Sequence, residues 1–574
     1  MKLPDIVRSP RFILVWLIPI LFSPLLCCNH DPVNRGAFVL LVMGAYWITE
    51  AIPLAITALM PLVLFPLFGI LSTEQACQAF MNQTLMIFIA SLMAAVAVES
   101  SNLHNRISIK VLLLFGTSPK WLLLGFMLNT MFLSMWISNT ATTALMIPIV
   151  DAVLVQLRHR TPANSDSGNR KVSIISNLDL HPTNESRKRS GSSLVATEDP
   201  EIDAKSFYIL RKSLFLGICY AANIGGIGTL TGTGPNLILY ALLSNKKEMR
   251  GIHNEITFSS WMTFNVPSML LCGFIAWLFI VLVYIRKAVN KDENKERDKV
   301  IRSMIQKKNE LMGDVTFHEW SVLILFVSMI LLWFFRNPSF TRGWSPLLIN
   351  RNEGDYIGDA SPAFFIVILL FMIPSNPKNP TQSRPLLEWN AIQEKLPWNI
   401  VILVGGAFVL AKGTQASGLS DWFSQQLARM QVLSPSILLL IICIIALSLT
   451  EITSNSATAT VILPSIKNMA LKLGFSPLFF MLPVTVCCSF AFMLPIGSAT
   501  NAIVFEAGEL KSMDMIKPGI FMKVACLVVI LVMINTWGFY VFNFNDLSSV
   551  NNSTGSTLFN MANSLKHNGS LFLN

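Results

Sequence analysis

A five-residue pattern occurs twice in this chain, as Ser138-Asn139-Thr140-Ala141-Thr142 and as Ser454-Asn455-Ser456-Ala457-Thr458, each time inside an apolar stretch. The two copies lie 316 residues apart, and so do the prolines that follow them, Pro148 and Pro464. Small hydroxyl and amide residues amid hydrophobic sequence are costly in lipid unless they line a cavity or bind something. A matched pair of such insertions points to a single site built by two related halves of one chain.

The surrounding sequence supplies the lipid. Of the 574 residues 53% are hydrophobic and 13% charged, a balance that a water-soluble fold of this size would not carry. Long apolar segments such as Phe38 to Leu71, Val111 to Ile149, Leu214 to Leu243 and Leu478 to Phe505 alternate with shorter ones such as Leu85 to Val98 and Ile437 to Leu449. At about 20 residues per crossing they predict an all-α polytopic membrane protein with about eleven transmembrane spans and two further stretches that read as hairpins.

The net charge of +10 is concentrated in loops, where it is a topology signal rather than a nucleic-acid surface. Basic segments stay cytoplasmic, which places Arg158 to Lys212 and Arg286 to Arg302 inside. Residues 161 to 205 are polar, rich in Ser and Asn and without hydrophobic periodicity, the composition of a disordered insert. Lys2, Arg8 and Arg11 precede the first apolar run and no small-residue cleavage site follows it, so a retained span with a cytoplasmic N-terminus is expected. An odd number of spans then puts the tail outside, where Asn551, Asn552 and Asn568 head glycosylation sequons. The sequon at Asn184 falls in a basic loop on the wrong side and is read as chance. Nine cysteines lie mostly in apolar segments, which is core usage without a disulfide framework.

The expected organisation is a first span over 1–34, a first repeat over 35–157, the insert over 158–207 and the rest of that repeat over 208–285. A basic loop over 286–318, a second repeat over 319–544 and the tail over 545–574 complete it.

After each Ser-Asn segment comes a second interruption, Gly232-Thr233-Gly234-Pro235-Asn236 and then Gly497-Ser498-Ala499-Thr500-Asn501, each with an isoleucine two residues on, Ile238 and Ile503. The spacing is 94 residues from Ser138 to Gly232 and 43 from Ser454 to Gly497, a difference of 51 that is about the length of the insert. Glycine and proline in mid-span break a helix and free its carbonyls and amides. Freed carbonyls with Ser, Thr and Asn oxygens suit sodium, and half-helix N-termini suit an anion. The competing reading, small residues that merely let helices pack closely, explains one such motif more readily than four in register.

Charge near these motifs is sparse. From Trp121 to Val150 there is no Lys, Arg, Asp or Glu, from Ile437 to Pro464 only Glu451, and from Leu473 to Leu510 no Lys or Arg. An anion held there must draw positive charge from helix ends and bound ions, which makes sodium coupling a condition of binding. Glu451 would serve as a proton-coupling carboxylate only if unpaired; pairing or helix capping is the expectation for it, as for Lys412 and Glu506.

At these residues, and at Tyr46-Trp47-Ile48-Thr49-Glu50-Ala51-Ile52-Pro53 and Ser489-Phe490-Ala491-Phe492-Met493-Leu494-Pro495, the chain resembles the divalent anion:sodium symporters, solute carrier family 13, from Arg11 to about Phe544. It is most similar there to the sodium-coupled dicarboxylate and citrate carriers. The resemblance implies inverted repeats, two re-entrant hairpins carrying the Ser-Asn motifs, two broken helices, a dimerising scaffold and elevator movement. It implies one sodium at Ser138, Asn139, Gly232, Gly234 and Asn236, and another at Ser454, Asn455, Thr458, Gly497, Ala499 and Asn501. Substrate would meet Asn139, Thr140, Thr233, Gly406, Asn455 and Ser456. Two departures stand out: Ala499 and Thr500 replace two prolines usual in relatives, and Ser456 offers a hydroxyl at a position that tunes substrate choice.

The function so implied is sodium-coupled import of succinate, citrate and related carboxylates across the plasma membrane by a homodimer, with sodium as coupling ion and no cofactor. Sulfate transport, sodium-independent carboxylate exchange and an anion channel are the alternatives. The seven histidines, among them His30, His104 and His318, fall in loops or at span edges, and neither a His-Glu-x-x-His pair nor a phosphate-binding loop occurs, so an enzyme is poorly supported.

Overall fold

A computed structural model describes residues 10–27, 31–49, 51–115, 118–158, 204–243, 256–286, 303, 305–336, 343–348, 357–379, 383–428, 434–542 and 544. The greater part of the insert, the tail sequons, the Asn184 sequon and Lys2 and Arg8 lie outside the described residues. Those described form helices joined by short connections, with one isolated bridge between Pro374 and Pro385.

Fourteen helices position the site. In the first half they are α1 (Gln83–Ser100), α2 (Pro119–Ser134), α3 (Asn139–Arg158), α4 (Ala204–Gly225), α5 (Gly234–Leu243) and α6 (Phe258–Ile280). The second half has α7 (Phe317–Phe334), α8 (Ala360–Met372), α9 (Trp398–Ala416), α10 (Pro435–Leu449), α11 (Asn455–Lys472), α12 (Pro477–Cys488), α13 (Ala499–Ala507) and α14 (Ser512–Asn535).

The sequence repeat reappears as matched helix starts. Ser118 precedes α2 and Ser434 precedes α10, each with a proline at the first helical position, where the missing N–H is not needed. Among the described residues five helices are long and apolar enough to cross a membrane: Thr73–Ser100, Phe258–Ile285, Phe317–Phe334, Trp398–Ala416 and Ser512–Asn535. The others implied by about eleven spans are shorter apolar pieces, because the hairpin tips and the glycine-rich breaks divide long apolar runs into half-spans such as α5 and α12. Outward faces stay apolar: Leu270, Phe274 and Leu278 on α6 with Leu282 in the π-helical turn Val281–Ile285 that continues it, and Ile520, Val524, Val528 and Val532 on α14, are exposed at four-residue spacing.

Packing interleaves the halves. Helices α2 and α3 form one hairpin and α10 and α11 the other; the incoming helices α2 and α10 lie against α4 and α12 of their own half. The outgoing helices cross over, α3 packing against α13 and α11 against α5. Close approach is built in with glycine, since a Cβ on Gly225 would stand 2.5 Å from the Met131 carbonyl oxygen.

Buried ion pairs fasten helix ends. Arg106 Nε lies 2.8 Å from Glu319 Oε1, and its other nitrogens donate to the carbonyls of Met312, Gly313 and Asp314. Lys212 meets Asp514 at 2.5 Å, and Arg336 pairs with Asp359. Six of the cysteines, Cys219, Cys272, Cys443, Cys487, Cys488 and Cys526, are buried as free thiols, the core usage their apolar surroundings predicted.

Candidate functional site

Both Ser-Asn motifs sit at hairpin tips. Ser138 Oγ accepts the Ala141 N–H at 3.3 Å and Ser454 Oγ accepts the Ala457 N–H at 3.2 Å, so each serine caps the helix that leaves the tip. Because the outgoing helices cross over, the starts of α3, α11, α5 and α13 gather in one region. A Cβ on Gly234 would overlap Ser456 Oγ, and one on Gly226 would stand 2.6 Å from Asn139 Oδ1. Four N-terminal dipole ends converge there, an electrostatic setting for an anion.

Each tip is pinned from behind by a hydroxyl. Ser134 Oγ reaches Asn139 Oδ1 at 2.8 Å and the Ala222 carbonyl at 2.7 Å. Thr450, 316 residues on, reaches Asn455 Oδ1 at 2.8 Å and the Cys488 carbonyl at 2.6 Å. The hydroxyls therefore tie both motif asparagines to the helix ends that lead into the breaks.

Both breaks are held open in the same way. Asn236 Nδ2 donates to the Gly226 and Thr229 carbonyls at 3.1 and 2.8 Å; Asn501 Nδ2 donates to the Ala491 and Leu494 carbonyls at 3.0 and 2.9 Å. A buried side-chain amide replaces the helical N–H groups that the unwound segment has lost. Ser498 Oγ accepts the Asn501 N–H at 3.2 Å, so a serine cap starts α13.

The halves differ in what fastens the break to the hairpin. In the first, Thr229 Oγ1 donates to the Met135 carbonyl. In the second, the residue 316 after Met135 is Glu451, whose carboxylate accepts the N–H groups of Phe492, Met493 and Leu494 at 2.9, 3.0 and 2.9 Å. Lys523 of α14 completes the arrangement, its Nζ 2.8 Å from Glu451 Oε1 and donating at 2.5 Å to the Leu447 carbonyl. Glu451 is thus a paired structural anion, as expected for it, and a Cβ on Gly497 would come within 2.8 Å of its Oε2.

Ser138, Asn139, Thr140, Thr233, Ser454 and Asn455 are half-buried at the tips and the first break; Gly232, Gly234, Asn236, Ser456, Thr458, Gly497 and Asn501 are buried, and Ala499 is exposed. Thr458 Oγ1 donates within its own helix to the Ser454 carbonyl at 3.2 Å. Asn236 Oδ1 and Thr142 Oγ1 are buried without a hydrogen-bond partner among the described residues. Gly406 lies on α9 against the Ala58 carbonyl and Gly405 against the Phe80 ring, so close helix packing accounts for both glycines.

Sequence reasoning passed over Ser134, Thr450, Asn223 and Lys523. The two hydroxyls did carry a signal, since they lie at the 316-residue spacing just before the motifs. Three buried lysines among the described residues lie outside the charge-free segments: Lys212 pairs with Asp514, Lys523 is neutralised by Glu451, and Lys467 donates at 2.9 Å to the Leu242 carbonyl at the end of α5.

A family model described as the sodium:sulfate symporter transmembrane region matches residues 10–544. A rat protein named Na(+)/citrate cotransporter is 39% identical over 567 residues, covering 94% of this chain and 96% of the relative. Two human proteins, solute carrier family 13 member 2 and Na(+)/dicarboxylate cotransporter 3, are each 36% identical, covering 96% and 95% of this chain and 97% and 96% of their own lengths. Among solved structures, the Alcanivorax borkumensis YdaH transporter superposes with a TM-score of 0.51 at 13% identity, over 82% of this chain and 88% of that one. Neisseria gonorrhoeae MtrF gives 0.50 at 14%, over 82% and 84%. At such identities these two speak for the fold, that of a helical membrane transporter.

Proposed function

The chain belongs to the sodium:sulfate symporter family, solute carrier family 13, and on that premise we propose that it is a sodium-coupled symporter importing di- and tricarboxylates such as succinate and citrate across the plasma membrane. The observation that carries this reading is the meeting of four helix starts, two from each half, at the tips bearing Asn139 and Asn455. Helix ends supply only partial positive charge, about half an elementary charge each before screening. Four such ends sum to about two charges before screening and to less after it, short of what a substrate with two or three carboxylates carries. Lys523 is spent on Glu451, so bound sodium supplies the remainder.

Ser138, Asn139, Gly232, Gly234 and Asn236 are assigned to one sodium, and Ser454, Asn455, Thr458, Gly497, Ala499 and Asn501 to the other. The unpartnered oxygen of Asn236 supports the first assignment. Asn139, Thr140, Thr233, Asn455 and Ser456 are assigned to substrate, while Gly406 is left to packing. The names of the relatives favour carboxylates over sulfate.

The basic segments set the orientation. The contacts Arg106 to Glu319, Lys395 to Glu99 and Lys212 to Asp514 gather helix ends on the side of those segments, which supports a cytoplasmic assignment of this face. The N-terminus is then inside and the tail, with its sequons, outside. Alternating access by movement of the tip-bearing helices, in a homodimer, completes the reading.

The test is uptake of labelled succinate, citrate and sulfate into cells expressing the protein, with sodium or choline outside. Carboxylate uptake that needs sodium supports the reading. Uptake of equal rate in choline overturns the coupling, and uptake of sulfate alone overturns the substrate class.

A further inference from the structure

Asn223 stands out among the buried polar groups as one that the binding assignments do not use. It sits in the last turn of α4, a first-half helix, and is fully buried. Its hydrogen bonds nevertheless run to the second half: Nδ2 donates to the Ala491 carbonyl at 3.2 Å and to Asn501 Oδ1 at 3.2 Å. Its own Oδ1 accepts from Asn139 Nδ2 at 3.5 Å. Three side-chain amides therefore form a chain, Asn139 to Asn223 to Asn501, from the first hairpin tip to the second break.

The consequence shows in the two matched asparagines of the breaks. Asn236 and Asn501 use their nitrogens identically, each bridging two carbonyls of its own unwound segment. Their oxygens differ. Asn236 Oδ1 has no hydrogen-bond partner among the described residues, whereas Asn501 Oδ1 accepts from Asn223 and also from Cys219 Sγ at 3.0 Å. The second break thus has its asparagine oxygen occupied by a first-half side chain, and that side chain is in turn touched by the residue at the first tip.

Resting on the reading that the two halves each bind a sodium, we propose that Asn223 is a positioning residue that couples the two cation sites. When Asn139 turns its amide oxygen toward a cation, its N–H leaves Asn223 Oδ1. The Asn223 amide, then held only by the Ala491 carbonyl, can rotate away from Asn501, and Asn501 Oδ1, left with the weak Cys219 thiol donor alone, becomes available in the second break. Filling the first site so prepares the second, which is positive cooperativity carried by three amides. The chain runs one way, because the helix end of the second half that corresponds to this turn carries Cys488 and Ser489, neither of them an amide.

The experiment is the sodium dependence of carboxylate uptake by full-length protein at fixed substrate, comparing wild type with Asn223→Ala and Asn223→Ser. Sodium binding is read separately as the rise in melting temperature of the purified wild type in NaCl over choline chloride. Loss of the link is expected to lower the Hill coefficient for sodium toward 1 and to move half-saturating sodium by about five-fold, the worth of one hydrogen bond. The substrate KM at saturating sodium should stay within about two-fold. Asn223→Ser keeps a donor in less volume and should show the same fall in Hill coefficient if the alanine variant does not reach the membrane. A variant at the surface whose Hill coefficient matches wild type, with only its maximal rate changed, overturns the coupling role while leaving the sodium sites standing. A wild type indifferent to sodium in both assays overturns the sodium reading and this inference with it.

Discussion

Neutralising Glu451 should disable the second break while leaving the helices around it in place. Its carboxylate gathers three consecutive backbone N–H groups at 2.9 to 3.0 Å and a lysine at 2.8 Å, all in a buried setting. In Glu451→Gln the amide nitrogen turns a donor toward at least one of those N–H groups, and Lys523 keeps a buried charge with no counter-charge. Breaking a buried pair from one side costs about 3–5 kcal/mol. A cost near the middle of that range is about a thousand-fold in the population of the held segment. Sodium-dependent uptake, normalised to biotinylated surface protein, should fall by about two orders of magnitude or more. Lys523→Met added to Glu451→Gln removes the orphaned charge, and coupling between such partners runs to about 1–3 kcal/mol. The double variant should recover about ten-fold over Glu451→Gln. Wild-type uptake by Glu451→Gln, or losses in the two variants that simply add, would refute the assignment of Glu451 as an anchor held by Lys523.

Other outcomes follow from the same contacts. Asn139→Ala and Asn455→Ala should each abolish transport at normal surface expression; retained uptake in either shows that its tip supplies no needed ligand. Gly234→Ala should lose uptake because its Cβ overlaps Ser456 Oγ, and Ser456→Ala in the same chain should restore part of it, the next atom, Ser456 Cβ, being 3.2 Å away. Arg106→Met leaves Glu319 buried and three carbonyls without their donor, a loss of about 3–5 kcal/mol that should appear as a lower melting temperature of the purified protein. An unchanged melting temperature would mean that this pair fastens nothing.

The tips and breaks were legible because a repeat at constant spacing writes itself into the sequence. Ser138 and Ser454 are helix caps in the structure, Asn236 and Asn501 bridge the same kind of carbonyl pair, and most of the difference between 94 and 43 residues falls between the end of α3 and the start of α4. What lay hidden was long-range and without a repeat. Lys523 is 72 residues from Glu451, and nothing local announces the pairing. Asn223 looks like a minor blemish in an apolar helix until packing sets it beside Asn501. Gly405 and Gly406 show the opposite limit, since glycine for close packing and glycine for a ligand read alike in sequence, and Phe80 and Ala58 fill the space beside them. Spans read from apolar runs also look different as helices, since a broken span appears as shorter apolar pieces such as α5 and α12.

If sodium completes an anion site which the protein's own charges leave unfinished, carboxylate binding must depend on the salt present. That dependence is tested most directly by the thermal stability of the purified protein with citrate or succinate, in NaCl and in choline chloride. A ligand that binds the folded and not the unfolded state raises the melting temperature, by an amount that grows with the logarithm of ligand concentration over Kd. The carboxylate should raise it in sodium and leave it unmoved in choline. An equal rise in both salts would mean that helix ends and side chains suffice, and the two halves would then have to be read as an anion site that needs no cation.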